Sequence, residues 1–164
     1  MNDVTMRRAT KSDLPTLERW DNAPHVVAVS GDDEPWEWER EIDVPWQEVW
    51  IAEVAGRAIG VVVVLNAHAE PSHYWGDVSP GTYAIDIWIG EVDALHRGHG
   101  TQMMRHAIDR TFGEHGATEI LIDPLETNSD AIGFYTHLGF EEVGPRRFGS
   151  DDCRVLSMRP PRGA

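Results

Sequence analysis

The sequence predicts a mixed α/β (α+β) fold, one sheet with helices on both faces. Three observations carry this. Strand-like runs dominate the first half, strand-helix-strand-helix follows in the second, and no internal repeat, low-complexity tract or linker divides the 164 residues. Such a length suits one domain over 1–164 with a sizeable core.

Val4 to Arg8 reads as an edge strand. Ser12 with Asp13, and Pro15 in the first turn, start a helix carrying Leu14, Leu17 and Trp20. A second short helix follows Pro24 and includes His25 to Val29. After Gly31 the chain becomes irregular and acidic, with Asp32, Asp33, Glu34, Glu37, Glu39, Glu41 and Asp43 against Arg40, and with Trp36, Trp38 and Trp46 interleaved. Two readings fit this segment. Indole faces and carboxylates both attract cations, which makes it one wall of a polyamine-like site; or it is a solvated loop whose tryptophans tuck into the core.

Glu48 to Val54 and Arg57 to Leu65 are β-rich and separated by Ala55-Gly56, a hairpin signal. His68 to Gly81 is a loop that leads into the next strand and carries Tyr74 and Trp75, either ligand-facing platforms or plugs at the sheet end. Thr118 to Asp123 is a buried strand, and Asn128-Ser129 opens a helix stopped by Gly139. Phe140 to Gly144 and Arg154 to Met158 are the last two strand-like runs, linked through Arg146 to Asp152.

The stretch at the centre is Tyr83 to Ile108. Alternation puts Ala84, Asp86, Trp88 and Gly90 on one face of a strand and Tyr83, Ile85, Ile87 and Ile89 on the other, leaving a carboxylate in mid-strand. Arg97-Gly98-His99-Gly100-Thr101 then opens a helix with Met103, Met104, Ala107, Ile108 and Phe112 at helical spacing. Glycines at this junction permit a tight turn, and the unpaired N–H groups of a helix N-terminus can hold a phosphate. Met103 stands where the dinucleotide fingerprint needs glycine, and no G-K-[ST] follows, so the loop is neither that motif nor a P-loop. A loop shaped only for packing is the alternative.

With 14 Lys+Arg against 28 Asp+Glu the formal charge is −14, which disfavours nucleic acid and favours a cationic partner. Cys153 is the single cysteine, so no intramolecular disulfide forms and a reducing compartment is expected. The first ten residues lack a signal-peptide core, and the aliphatic run Ala58 to Leu65 is too short to span a bilayer; a cytoplasmic protein without membrane contact is expected. His96 and His99 lack a third ligand at regular spacing, so no metal is expected.

R-G-H-G-T after a strand, then I-L-I-D-P, then N-S-D-A-I-G-F-Y-T-H-L-G-F resemble the GNAT superfamily of acetyl-CoA-dependent N-acetyltransferases. Y-W-G, A-I-D-I-W-I-G-E, G-T-Q-M-M and I-D-P-L-E-T-N resemble its aminoglycoside 6'-N-acetyltransferases, enzymes of antibiotic resistance. The resemblance implies the single-domain GNAT fold with a mixed, mostly antiparallel sheet, acetyl-CoA as cosubstrate, an aminoglycoside as polycationic substrate, and a monomer in preference to a homodimer. It implies that Asp86 binds the reacting amine and is the base, and that Tyr135 is the acid. Ile87, Trp88, Ile89, Arg97, Gly98, His99, Gly100, Thr101 and Asn128 are then the coenzyme side of the site, and Tyr74, Trp75, Asp86, Asp123 and Asp152 the substrate side. Two departures stand out: Leu95 replaces the usual Gln or Arg before the glycines, and Ala28 and Ser30 stand where the family has tryptophans.

The chemistry is consistent with those roles. An alkylammonium with a pKa of roughly 10 must lose a proton before it can attack a thioester, and a carboxylate can hold it and accept that proton. The developing oxyanion needs donors, which N–H groups of Ile87 to Ile89 provide if they are free of the sheet ladder. A branch acting in siderophore assembly has a similar motif but carries His in this strand, against which Asp86 counts.

Overall fold

The computed structural model describes residues 3–31 and 35–161, so Asp32, Asp33 and Glu34 of the acidic segment lie outside the described residues. Among the described residues, seven strands form one sheet: β1 (Val4–Arg8), β2 (Gln47–Val54), β3 (Arg57–Asn66), β4 (Thr82–Ile89), β5 (Glu119–Ile122), β6 (Glu141–Phe148) and β7 (Asp151–Met158). Their order is β1-β2-β3-β4-β5-β7-β6. Every pairing is antiparallel except β4 with β5. The described residues also form the α-helices α1 (Leu14–Asp21), α2 (Pro24–Ser30), α3 (Trp38–Glu41), α4 (His99–Gly113) and α5 (Ser129–Leu138). The mixed sheet expected from the sequence is the one observed.

β3 organises the core because its valines are buried on both faces. Val62 and Val64 pack with Ile85, Met103, Met104, Ala107 and Tyr135 beneath α4 and α5. Val61 and Val63 pack with Leu17, Trp20 and Trp38 beneath α1 and α3. Burying such side chains on both sides contributes about 2 kcal/mol each. A third cluster, with Ala84, Trp75, Phe148 and Cys153, fills the sheet end beneath the loop from β3 to β4.

The tail departs from expectation. Residues Arg146 to Asp152 are not a linker: β6 runs to Phe148, the chain turns at Gly149 and Ser150, and β7 begins at Asp151. Among the described residues no helix is long and apolar enough to cross a membrane.

On the far side of α4, Glu48 of β2 accepts hydrogen bonds from Arg110 Nε at 2.8 Å and Nη2 at 2.9 Å, with His115 Nε2 at 3.1 Å. Burial alone would raise the Glu48 carboxyl, but the Arg110 and His115 bonds outweigh it and hold it down at about 2. A depressed carboxyl stabilises the fold above its ordinary value, 4.5, and that stability is lost as pH falls towards 2. Removal of the partner, Arg110→Ala, is expected to cost roughly 1–2 kcal/mol at neutral pH, after allowing for solvent screening. Thermal unfolding should show the gap to wild type closing between pH 4.5 and 2; a gap that is flat with pH would show the pair to be inert.

Candidate active site

The site is a gap in the sheet. β4 and β5 pair only at Thr82↔Glu119, Tyr83↔Ile120 and Ala84↔Leu121, after which β4 continues alone to Ile89. Along that stretch β4 is still laddered to β3, with Asp86 opposite Val63 and Trp88 opposite Val61. Gly90 N–H donates to Ile59 O at 2.8 Å, which fixes the phase of the ladder. Even-numbered residues therefore bond towards β3, and the backbone groups of Ile87 and Ile89 point into the gap. The Ile89 carbonyl there accepts a hydrogen bond from His25 Nε2 of α2 at 2.8 Å. Trp88, expected on the coenzyme side, bonds through its main chain towards β3 and packs its indole against Trp36 and Trp38 instead.

A cleft of about 1070 Å³ opens at the gap. Asp86 reaches it from the α1/α3 face of the sheet, and Tyr135, on α5, from the opposite face. Only a break in the sheet lets the two share a cavity. Burial pushes the Tyr135 hydroxyl well above its ordinary value, and the charges of Asp86 and then Asp123 push it further. It is thus held as a neutral O–H donor.

Among the described residues the cleft wall carries seven carboxylates, Asp21, Glu37, Glu41, Glu70, Asp86, Asp123 and Asp151, against the single guanidinium of Arg40. Arg40 is itself paired with Glu37 at 3.0 Å. A low-dielectric cleft lined by one sign of charge concentrates ligands of the other sign. Asp123, at the end of β5, accepts a 2.5 Å hydrogen bond from the Tyr74 hydroxyl, and the Tyr74 ring stacks on Phe148 at 4.6 Å. Trp75 is 4 % exposed and sits edge-on to Phe148, so it builds the cleft floor rather than a free platform.

Asp152 requires a correction. Its side chain is 66 % exposed, lies 3.9 Å from Arg147, and does not line the cleft. The hairpin register puts Asp151, Cys153 and Val155 on the buried face, so the carboxylate in the cleft is Asp151. Asp151 lies so close beneath Gly31 that a Cβ there would come within 2.6 Å of its carboxylate; with φ at +70° as well, glycine is required. The alternation D-x-C-x-V over Asp151, Cys153 and Val155 is the signal that would have found it.

The helix junction is as expected. Gly98 caps α4 in the left-handed region, φ 82°, with no side chain closing the first turn. The N–H groups of His99, Gly100 and Thr101 are thus helix-terminal donors that can hold a phosphate. The Arg97 side chain is folded back, Nε donating to Asp93 O at 2.8 Å, and the His99 imidazole lines a separate hollow with Arg57 and Asp93. Asn128 lines the cleft, its side-chain oxygen accepting the Ala131 N–H as the α5 cap. Open donors at a helix end and a free strand edge suit a phosphorylated ligand with an amide-bearing arm. Among the described residues no three His, Cys, Asp or Glu side chains are grouped to hold a metal ion.

Of the acidic segment, Trp38 enters the core, whereas Trp36, Trp46, Glu37 and Glu41 line the cleft. The segment thus contributes both to the core and to the cleft wall. Asp21 and Glu70 also line the cleft and carried no local signal in the sequence.

A family model described as Acetyltransferase (GNAT) domain matches residues 9–148. The chain is 29 % identical over 153 residues to an aminoglycoside N(6')-acetyltransferase type 1 of Klebsiella pneumoniae, covering 87 % of this chain and 76 % of that one. It is similar to the structure of AAC(6')-Ib in complex with parmomycin and acetyl-CoA, with a TM-score of 0.85, 26 % identity and coverage of 96 % and 93 %. A structure of AAC(6')-Ib with coenzyme A and kanamycin gives a TM-score of 0.82 at 25 % identity, covering 96 % and 95 %.

Proposed function

From the premise that the chain belongs to the acetyltransferase (GNAT) family and is an acetyl-CoA-dependent N-acetyltransferase, we propose that it acetylates the 6'-amino group of an aminoglycoside. The observation that carries this reading is the position of Asp86: it stands at the gap in the sheet, in one cleft with Tyr135 and with a wall of carboxylates.

Acetyl-CoA, when bound, supplies the acyl thioester and the leaving thiol. Asp86 holds the substrate ammonium and takes its proton, directly or through a water. The Ile87 and Ile89 N–H groups, aimed into the gap, stabilise negative charge growing on the carbonyl oxygen. Tyr135, kept protonated by burial, donates to the departing sulfur. Asp123 and Asp151 hold further ammonium groups of the same substrate, and the N–H groups from His99 to Thr101 hold the coenzyme's phosphates.

Thiol release with acetyl-CoA and kanamycin or tobramycin tests this. Turnover is expected with the 6'-amines and none with a congener bearing a hydroxyl at that position. KM should rise with ionic strength, because the acid wall is screened. Absence of turnover with every aminoglycoside, or equal turnover of the 6'-hydroxyl congener, would reject the assignment.

A further inference from the structure

The α1/α3 side of the cleft contains an aromatic surface that none of the catalytic roles uses. Trp36 stacks on Trp38 with centroids 4.6 Å apart and planes 8° from parallel. Trp38 is buried and its Nε1 donates to Asp21 Oδ2 at 2.7 Å, so the stack has a fixed base. Trp88 tilts against both indoles at 5.9 and 6.0 Å. With one face on Trp38 and an edge against Trp88, the remaining surface of Trp36 is what lines the cleft, beside Glu37 and Glu41. The Glu41 carboxylate is held by the Glu37 N–H at 2.6 Å.

The placement relative to Asp86 matters. Trp88 lies two residues along the same strand face from Asp86, a rise of about 7 Å, and the Trp36 and Trp88 ring centroids are 5.9 Å apart. Asp86, Trp88 and Trp36 all line the one cleft, so an amine held at Asp86 lies in the same cavity as the open surface of Trp36. A rigid indole flanked by carboxylates attracts the face of a protonated ring and costs little side-chain entropy to use.

We propose that Trp36 is a specificity-determining residue, the platform on which a second ring of the substrate stacks, so that the cleft selects linked amino-sugar rings over single amines. This rests on the aminoglycoside reading above. The test compares kanamycin with 6-amino-6-deoxyglucose, which has the same reacting amine on one ring, in wild type, Trp36→Ala and Trp36→Phe. Trp36→Ala is expected to raise KM for kanamycin about tenfold, with kcat changed by less than about twofold. KM for the single-ring amine, or its inhibition constant if it turns over too slowly, should not move. Trp36→Phe should restore most of the kanamycin affinity, and unchanged coenzyme binding by calorimetry shows that each variant is folded. An unaltered kanamycin KM in Trp36→Ala, or equal losses for both amines, overturns this inference while leaving the aminoglycoside reading standing. A wild type that neither binds nor acetylates kanamycin overturns both.

Discussion

Asp86→Asn is expected to lower kcat/KM for an aminoglycoside by about 10² to 10⁴-fold while leaving coenzyme affinity unchanged. The substitution keeps the shape of the side chain and its place opposite Val63 in the ladder, so the fold has little reason to respond. What it removes is the negative charge proposed to hold an ammonium and the lone pair proposed to take its proton. Both kcat and KM should suffer, because in the proposed mechanism the same carboxylate binds the substrate and assists its chemistry. Coenzyme binding is expected to survive because Asp86 enters the cleft from the α1/α3 face, whereas the α4 N-terminus lies at the opposite face. A second readout follows from the same charge: Asp86 helps to raise the Tyr135 hydroxyl, so a tyrosine absorbance titration of the variant should show that group moving down. Residual activity within about tenfold of wild type, below the range general-base removal produces, would make Asp86 a structural carboxylate.

Tyr135→Phe should lower kcat by about 10²-fold with little change in KM for either substrate. Tyr135 packs against Phe134 and Phe140, with centroids 5.3 and 5.9 Å away, and phenylalanine preserves both contacts. The variant should therefore fold, and loss of rate isolates the hydroxyl. The pH dependence carries a sign as well. Burial, followed by the charges of Asp86 and Asp123, raises the folded-state pKa of this tyrosine above its ordinary value of 10.0, so the neutral form persists throughout any assay below that pH. Wild type should then show no alkaline loss of rate from Tyr135 ionisation below that point, and any stabilisation from the neutral side chain is lost only as pH rises past it. Full activity in Tyr135→Phe would mean that the departing thiolate takes its proton from solvent.

Much of the site was legible because its signals are local. The alternation through β4 marked Asp86 as a carboxylate in a strand otherwise rich in isoleucine, and Gly98 marked the start of α4 because a left-handed cap at that point favours glycine. Trp36 and Asp151 were obscured for different reasons. Trp36 sits in an acidic stretch without periodicity, where nothing in the neighbouring residues distinguishes a tryptophan that enters the core, such as Trp38, from one that faces a cleft. Asp151 has an acidic neighbour on each reading of the hairpin, and a shift of one residue exchanges Asp151 and Asp152 between the two faces.

Local pattern by itself therefore determined most of the elements, though not α3 or the ends of the β6–β7 hairpin, together with the phase of the central strand and the family to which its motifs point. Tertiary structure alone decided where the sheet opens and which acids meet there. β4 and β5 separate after Ala84 and Leu121, so the gap lies between two strands that are distant in the chain. The physical reason is one of range: hydrophobic period and capping are written in residues three or four apart, whereas a shared cavity depends on the register of strands distant in the chain.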